Sequence, residues 1–166
     1  MSEPAAVEIR AARLDDIEGI LDALEPVAAE NRWLASEVPL PRDRMRDGFK
    51  ATIESPATAL FAVADHERID GSLGIYRIAF SGVAELGMSL LPEYRGRGIG
   101  TRLIERAIAF CRERDYYKIT LYVHPWNDAA LALYEKFGFE REGYLRKHIR
   151  RRSGERWDVV EMALIL

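Results

Sequence analysis

The chain of 166 residues has one cysteine, Cys111, so no disulfide forms within it. That scarcity fits a reducing compartment. Histidines number three, and no His/Cys/Asp cluster has the spacing of a metal site. No apolar run is long enough to cross a bilayer. The opening stretch mixes Glu3, Glu8, Arg10, Arg13, Asp15 and Asp16 with short apolar pieces, which leaves no room for a signal-peptide core. Basic charge is not in excess either: the net charge is -3, so nothing points to nucleic acid as the main partner. Repeats, low-complexity tracts and Gly/Ser linkers are absent. These absences predict a cytoplasmic protein without membrane or nucleic-acid partners, folded as one domain over residues 1–166. What remains is 48% hydrophobic and 31% charged, enough apolar material for a core and too much for a disordered chain.

Periodicity predicts a mixed α/β order. Residues 7–12 read as a short strand. Asp15 then opens a helical stretch with Ile17, Ile20, Leu21 and Leu24 on one face, and Pro26 is a potential kink within it. Residues 31–41 are irregular, with Pro39 and Pro41 as breakers. A weakly amphipathic helix covers 42–55, and strands cover 59–65, 69–80 and 83–91. Residues 98–114 form the most amphipathic helix, with Ile99, Leu103, Ala107, Ile108 and Cys111 as its stripe. Strict alternation marks a strand at 118–124, with Thr120, Tyr122 and His124 opposite Ile119, Leu121 and Val123. A helix at 128–137 has Asn127 as N-cap and Gly138 as its stop. Two final strands, 139–151 and 156–165, flank a Ser153-Gly154 turn. The strand at 83–91, the long helix and the strand at 118–124 make one crossover unit, so those two strands should be parallel in an otherwise mostly antiparallel sheet.

The chemistry concentrates at 90–101, where a strand gives way to a helix. A helix N-terminus presents unpaired N–H groups and about half a positive charge. Gly96, Gly98 and Gly100 carry no Cβ, so a phosphate can approach the backbone, and Arg95 and Arg97 add cationic donors. The segment reads as a pyrophosphate cradle. It lacks the Gly-Lys-Ser/Thr of a nucleoside-triphosphate loop, and its G-x-G-x-G spacing is not that of a dinucleotide fold. A Gly-rich turn needed only for packing is the competing reading.

The next helix carries Asn127 and then Leu133-Tyr134-Glu135-Lys136-Phe137-Gly138-Phe139. Taken with Arg95-x-x-Gly98-x-Gly100, this pattern resembles the GNAT superfamily of N-acetyltransferases, and the tail from Glu142-Gly143 through Gly154 and Asp158 to Met162 is most similar to its bacterial amino-acid and ribosomal-protein members. The resemblance implies a GNAT-like mixed sheet and acetyl-CoA as co-substrate. It implies that the backbone of Met88, Ser89 and Leu90 pairs with the pantetheine arm. The amides of Gly96, Arg97, Gly98, Ile99, Gly100 and Thr101, with Arg95 at the mouth, would hold the pyrophosphate. Asn127 would bond the pantetheine region, and Tyr134 would sit near the sulfur and protonate the leaving thiolate. A phenol with a pKa of about 10 holds its proton at neutral pH, as that role requires. Tyr134 also shares a helical stripe with Ala130, Leu133 and Phe137, so a plain core tyrosine is the alternative.

Glu85 is the first candidate for the general base, on a strand face with Gly87 and Ser89. A Glu that only binds substrate or solvent competes with that reading. Where the ribosomal-protein members carry a Glu five positions before the Asn, this chain has Tyr122, and His124 is a reserve candidate. The basic residues from Arg146 to Arg152, with Arg156, read as a solvated hairpin face. Trp33 and Trp126 fall in loops. The expected acceptor is a primary amine, an amino acid or small amine ahead of a protein N-terminus. A non-catalytic acyl-CoA sensor is the alternative to an enzyme, and a homodimer is an admissible assembly.

Overall fold

A computed structural model describes residues 7–79 and 81–166. Among the described residues, seven strands form one sheet: β1 (Glu8–Ala11), β2 (Ala59–Asp65), β3 (Arg68–Ile78), β4 (Val83–Leu90), β5 (Lys118–Val123), β6 (Glu140–Arg150) and β7 (Arg156–Ile165). Their order is β1-β2-β3-β4-β5-β7-β6, and β4–β5 is the parallel pair among antiparallel neighbours. Four helices join them: α1 (Ile17–Ala29), α2 (Arg42–Glu54), α3 (Ile99–Glu113) and α4 (Asp128–Lys136). The fold class and parallel crossover read from periodicity are thus observed, and most boundaries fall within two residues. The expected strand at 69–80 ends at Ile78, and its last residue, Phe80, lies outside the described residues, as do residues 1–6. Pro26 is accommodated inside α1.

The sheet separates two apolar layers. On one face, Leu73, Ile75, Ala84, Leu86, Ile119, Leu121 and Met162 pack with Leu103, Ile104, Ala107 and Cys111 of α3 and with Leu131 and Tyr134 of α4. Cys111 is a buried apolar residue, as its place in the stripe implied, and burial pushes its thiol up to about 12. On the other face, Leu60, Ala62, Ala64 and Ile69 meet Ile20 of α1, with Phe49 and Ile53 of α2 beside them. Each fully buried Leu or Ile contributes about 1.5–3 kcal/mol, so α3 alone ties its helix firmly to the sheet. A fixed α3 N-terminus is what lets the turn before it serve as a binding surface.

Candidate active site

The sheet splits where the site begins. β4 pairs with β5 only through Val83–Lys118, Ala84–Ile119 and Glu85–Thr120. Beyond Glu85, β4 keeps its bonds to β3 out to Leu90–Gly71, while β5 continues with β7 out to Val123–Val160. The β5-facing backbone groups of residues 86–90 therefore have no strand beside them. Unpaired backbone donors and acceptors on a strand edge recruit an extended ligand as an added strand. Leu133 and Tyr134 of α4 close one side of the wedge, and Val27 of α1 with Trp33, Leu34 and Ala35 closes the other. The cleft has a volume of about 520 Å³, and Met88, Ser89, Leu90, Arg95, Gly96, Gly98, Gly100, Thr101, Asn127 and Tyr134 all line it.

The cradle is built from two left-handed glycines. A short 3-10 turn at Pro92–Tyr94 carries the chain off β4. Gly96 has φ +68° and Gly98, the N-cap of α3, has φ +75°, and a Cβ at either would point into open space. Only glycine takes such a backbone without cost, and the space beside both residues is open. Gly100 lines the cavity, and a Cβ there would lie 2.9 Å from Leu133 Cδ2, so it also allows close packing of α3 against α4. The two arginines differ. Arg97 is exposed and lies over the Tyr94 ring. Arg95 sits at the mouth, but its Nε donates to Leu90 O (3.1 Å) and its two Nη groups fork onto the Glu30 carboxylate at 3.0 and 2.5 Å. Arg95 holds the Glu30 carboxyl below its usual range, and Trp33 Nε1 donates to the same carboxylate at 2.7 Å.

Tyr134 is 6% exposed and faces the wedge, with its ring tilted on Phe139. Burial drives its phenol pKa well up, so it stays protonated through neutral pH. Asn127 caps α4 by accepting from the Ala130 N–H at 3.3 Å, and its side chain still borders the cavity.

The opposite sheet face holds the ionisable groups. Tyr76, Glu85 and Thr120 lie in register across β3, β4 and β5, and Tyr122 opposes Glu161 of β7. Burial, and next the charge of Glu161, raises the Glu85 carboxyl. The Glu161 carboxylate accepts from Tyr122 at 3.4 Å and from Thr120 at 3.5 Å. Glu85 sits on the last rung before the split and is not among the residues lining the cavity, whereas Tyr122 and His124 are. His124 is buried, stacks on Trp126 and meets Trp157 edge-on. Desolvation lowers its pKa, and Nδ1 lies 3.1 Å from Asp158 O. With Nδ1–H donating there, Nε2 is the basic nitrogen.

Sequence reasoning missed Glu161, Glu30 and Arg151. Glu161 had a signal, a charge on the same face as Val159 and Ala163 within an apolar strand. Arg151 was read as part of a solvated face. It is instead buried, with Trp157 beneath its guanidinium and loop carbonyls around it.

Residues 25–139 match the family described as the acetyltransferase (GNAT) family. An acetyltransferase of Sodalis glossinidius is 31% identical over 136 residues, covering 82% of this chain and 89% of the relative. The N-alpha-acetyltransferase RimI of Mycobacterium tuberculosis is 37% identical over 84 residues, 44% of this chain and 51% of the relative. Among solved structures, a GNAT superfamily phosphinothricin acetyltransferase from Sinorhizobium meliloti, in complex with AcCoA, superposes with a TM-score of 0.84 at 20% identity. That match covers 96% of this chain and 88% of the other. The split sheet, the glycine cradle and these matches agree: the chain belongs to the acetyltransferase (GNAT) family.

Proposed function

We propose that the chain transfers an acetyl group from acetyl-CoA to a primary amine by direct attack on the thioester. One observation carries this reading. A single cavity runs from the open, left-handed Gly96 and Gly98, along the unpaired edge of β4, to the buried phenol of Tyr134. The cradle suits the pyrophosphate and the edge of Met88, Ser89 and Leu90 suits an extended amide-bearing arm. The neutral amine nitrogen bonds to the thioester carbonyl carbon, the C–S bond breaks, and Tyr134 gives its proton to the departing sulfur. The ammonium proton leaves on the opposite face. Glu85, with its raised carboxyl, receives it through an intervening group, and His124 Nε2 is the competing acceptor.

The walls at the acceptor end are apolar or aromatic: Val27, Trp33, Leu34, Ile149 and Val159. Arg95 is the one cationic side chain among the lining residues, and Glu30 already engages it. A free amino acid brings a carboxylate that needs a cation. This supports an amine without an adjacent carboxylate, a small amine or a peptide N-terminus, and shifts the lead away from a free amino acid. Thiol release from acetyl-CoA across a panel of amines, amino acids and short peptides tests the reading. Release with small amines or peptides, lost in Tyr134→Phe, supports it. Acetyl-CoA binding without release from any acceptor supports the sensor alternative.

A further inference from the structure

Arg151 stands in the turn between β6 and β7. Arg151 is 2% exposed. Its Nη1 donates to Leu34 O at 3.0 Å and Ala35 O at 2.8 Å, and its Nη2 donates to Asn31 Oδ1. The guanidinium lies 3.9 Å from the Trp157 ring centroid, and its Nε is 3.5 Å from Glu37 Oε1. Arg152 continues the strap: its N–H meets Glu37 Oε2 at 2.9 Å, and its two Nη groups donate to Val38 O (2.7 Å) and Pro39 O (3.1 Å).

A guanidinium taken out of water is costly unless its donors are met. Here Nη1 meets two main-chain carbonyls and Nη2 the Asn31 side chain, all from the loop between α1 and α2, while the buried Nε has no hydrogen-bond partner beyond its 3.5 Å approach to Glu37 Oε1. The loop cannot swing away without leaving the buried charge unpaired, so its backbone at 34–35 is held by charge satisfaction. The neighbouring side chains Trp33, Leu34 and Ala35 line the same cavity as Tyr122, Ile149 and Val159. Resting on the acetyltransferase reading above, we infer that Arg151 is a specificity-determining positioning residue: by pinning the 34–35 backbone, it sets how bulky an amine the cavity admits.

Arg151→Lys keeps the charge but replaces a planar fork with a point donor that cannot span both carbonyls and Asn31. Hydrogen exchange of residues 31–38 should accelerate. The acceptor KM should rise about tenfold or more, since a displacement near 1 Å costs up to about 100-fold. Acetyl-CoA affinity should stay unchanged, and the preference between a slim and a branched amine should shrink. Leu34→Ala alters the wall directly and should shift that preference toward the bulkier amine by about 10-fold or more, the scale of methylene discrimination. A folded Arg151→Lys protein with unaltered acceptor KM and preference overturns the inference. So does an unaltered preference in Leu34→Ala, which decides the matter even where Arg151→Lys fails to fold. If the unsubstituted protein releases no thiol with any amine of the panel, the transferase reading falls and the specificity role falls with it. Faster exchange at 31–38 in Arg151→Lys then still separates the anchor itself from its use.

Discussion

Gly98→Ala separates binding from folding at the cradle. Gly98 holds φ +75° at the N-cap of α3, where an added Cβ meets no neighbour. The methyl therefore brings two effects. Left-handed backbone costs a non-glycine residue about 1–2 kcal/mol, which lowers Tm by roughly 2–8 °C in a domain of this size. The methyl also occupies the space in which a phosphate would meet the amides of the helix N-terminus. Losing one or two hydrogen bonds to a charged group, at about 1.5–3 kcal/mol each, weakens acetyl-CoA about 10- to 10⁴-fold. Strain alone is measured by Gly154→Ala. Gly154 has φ +89° and equally open surroundings, but it lies in the β6–β7 turn away from the cradle. Calorimetric titration with acetyl-CoA and a thermal melt on both variants give the comparison. Both should lose Tm similarly, and only Gly98→Ala should lose affinity. Equal affinities within about twofold, in two folded variants, would refute the cradle.

Three further outcomes are expected. Tyr134→Phe should lower turnover about 10²–10⁴-fold, with acetyl-CoA affinity nearly unchanged, because the hydroxyl acts as the thiolate departs; wild-type turnover, with a chemical step limiting, returns Tyr134 to a packing role. Glu30→Gln removes the carboxylate that holds Arg95 and Trp33, so acetyl-CoA should bind more tightly while the acceptor KM rises; calorimetry showing weaker acetyl-CoA binding would mean that Glu30 orients Arg95 for the ligand instead. Glu85→Gln should raise Tm at neutral pH, because ionising a carboxyl whose folded pKa is raised costs folded-state stability. That cost is absent below the ordinary carboxylate pKa of about 4.3 and grows as pH rises through it toward the raised value, so melts should converge at acid pH.

The parts of the site made within a few residues were legible in the sequence. A glycine turn at a helix start and an Asn before a helix each express a local rule, so the turn glycines Gly96 and Gly98 and the N-cap Asn127 could be placed, whereas the expectation for Tyr134 came from the family resemblance. The parts made by the fold were not. Gly100 has a packing reason that its spacing does not show, because Leu133, from the next helix, arrives against it. Arg95 looks like a phosphate donor until Glu30, 65 residues away, takes its fork. Arg151 looks like solvated charge until the backbone of Leu34 and Ala35 closes over it. In each case residue type and spacing were read correctly, and the partner came from a distant stretch of chain.

Glu85 shows the same limit at the proton's exit. Alternation assigns it to the face shared with Thr120 and Tyr122, and the register agrees. A face is not a depth, however. β4 and β5 part immediately beyond Glu85, so the cavity opens at Leu86, and the carboxyl lies below the fork in the sheet. We propose that a base there receives the proton through a relay. Tyr122 reaches both regions, since it lines the cavity and its hydroxyl meets Glu161, whose charge in turn raises Glu85. His124 needs no relay, because it lines the cavity as a neutral imidazole. The two routes make opposite demands on Tyr122→Phe. Through Glu85 the hydroxyl is part of the path, and its loss should depress turnover near neutral pH, with recovery as the amine deprotonates in alkaline solvent. Through His124 the hydroxyl is a bystander, and the pH–rate profile of Tyr122→Phe should run parallel to that of the unsubstituted protein.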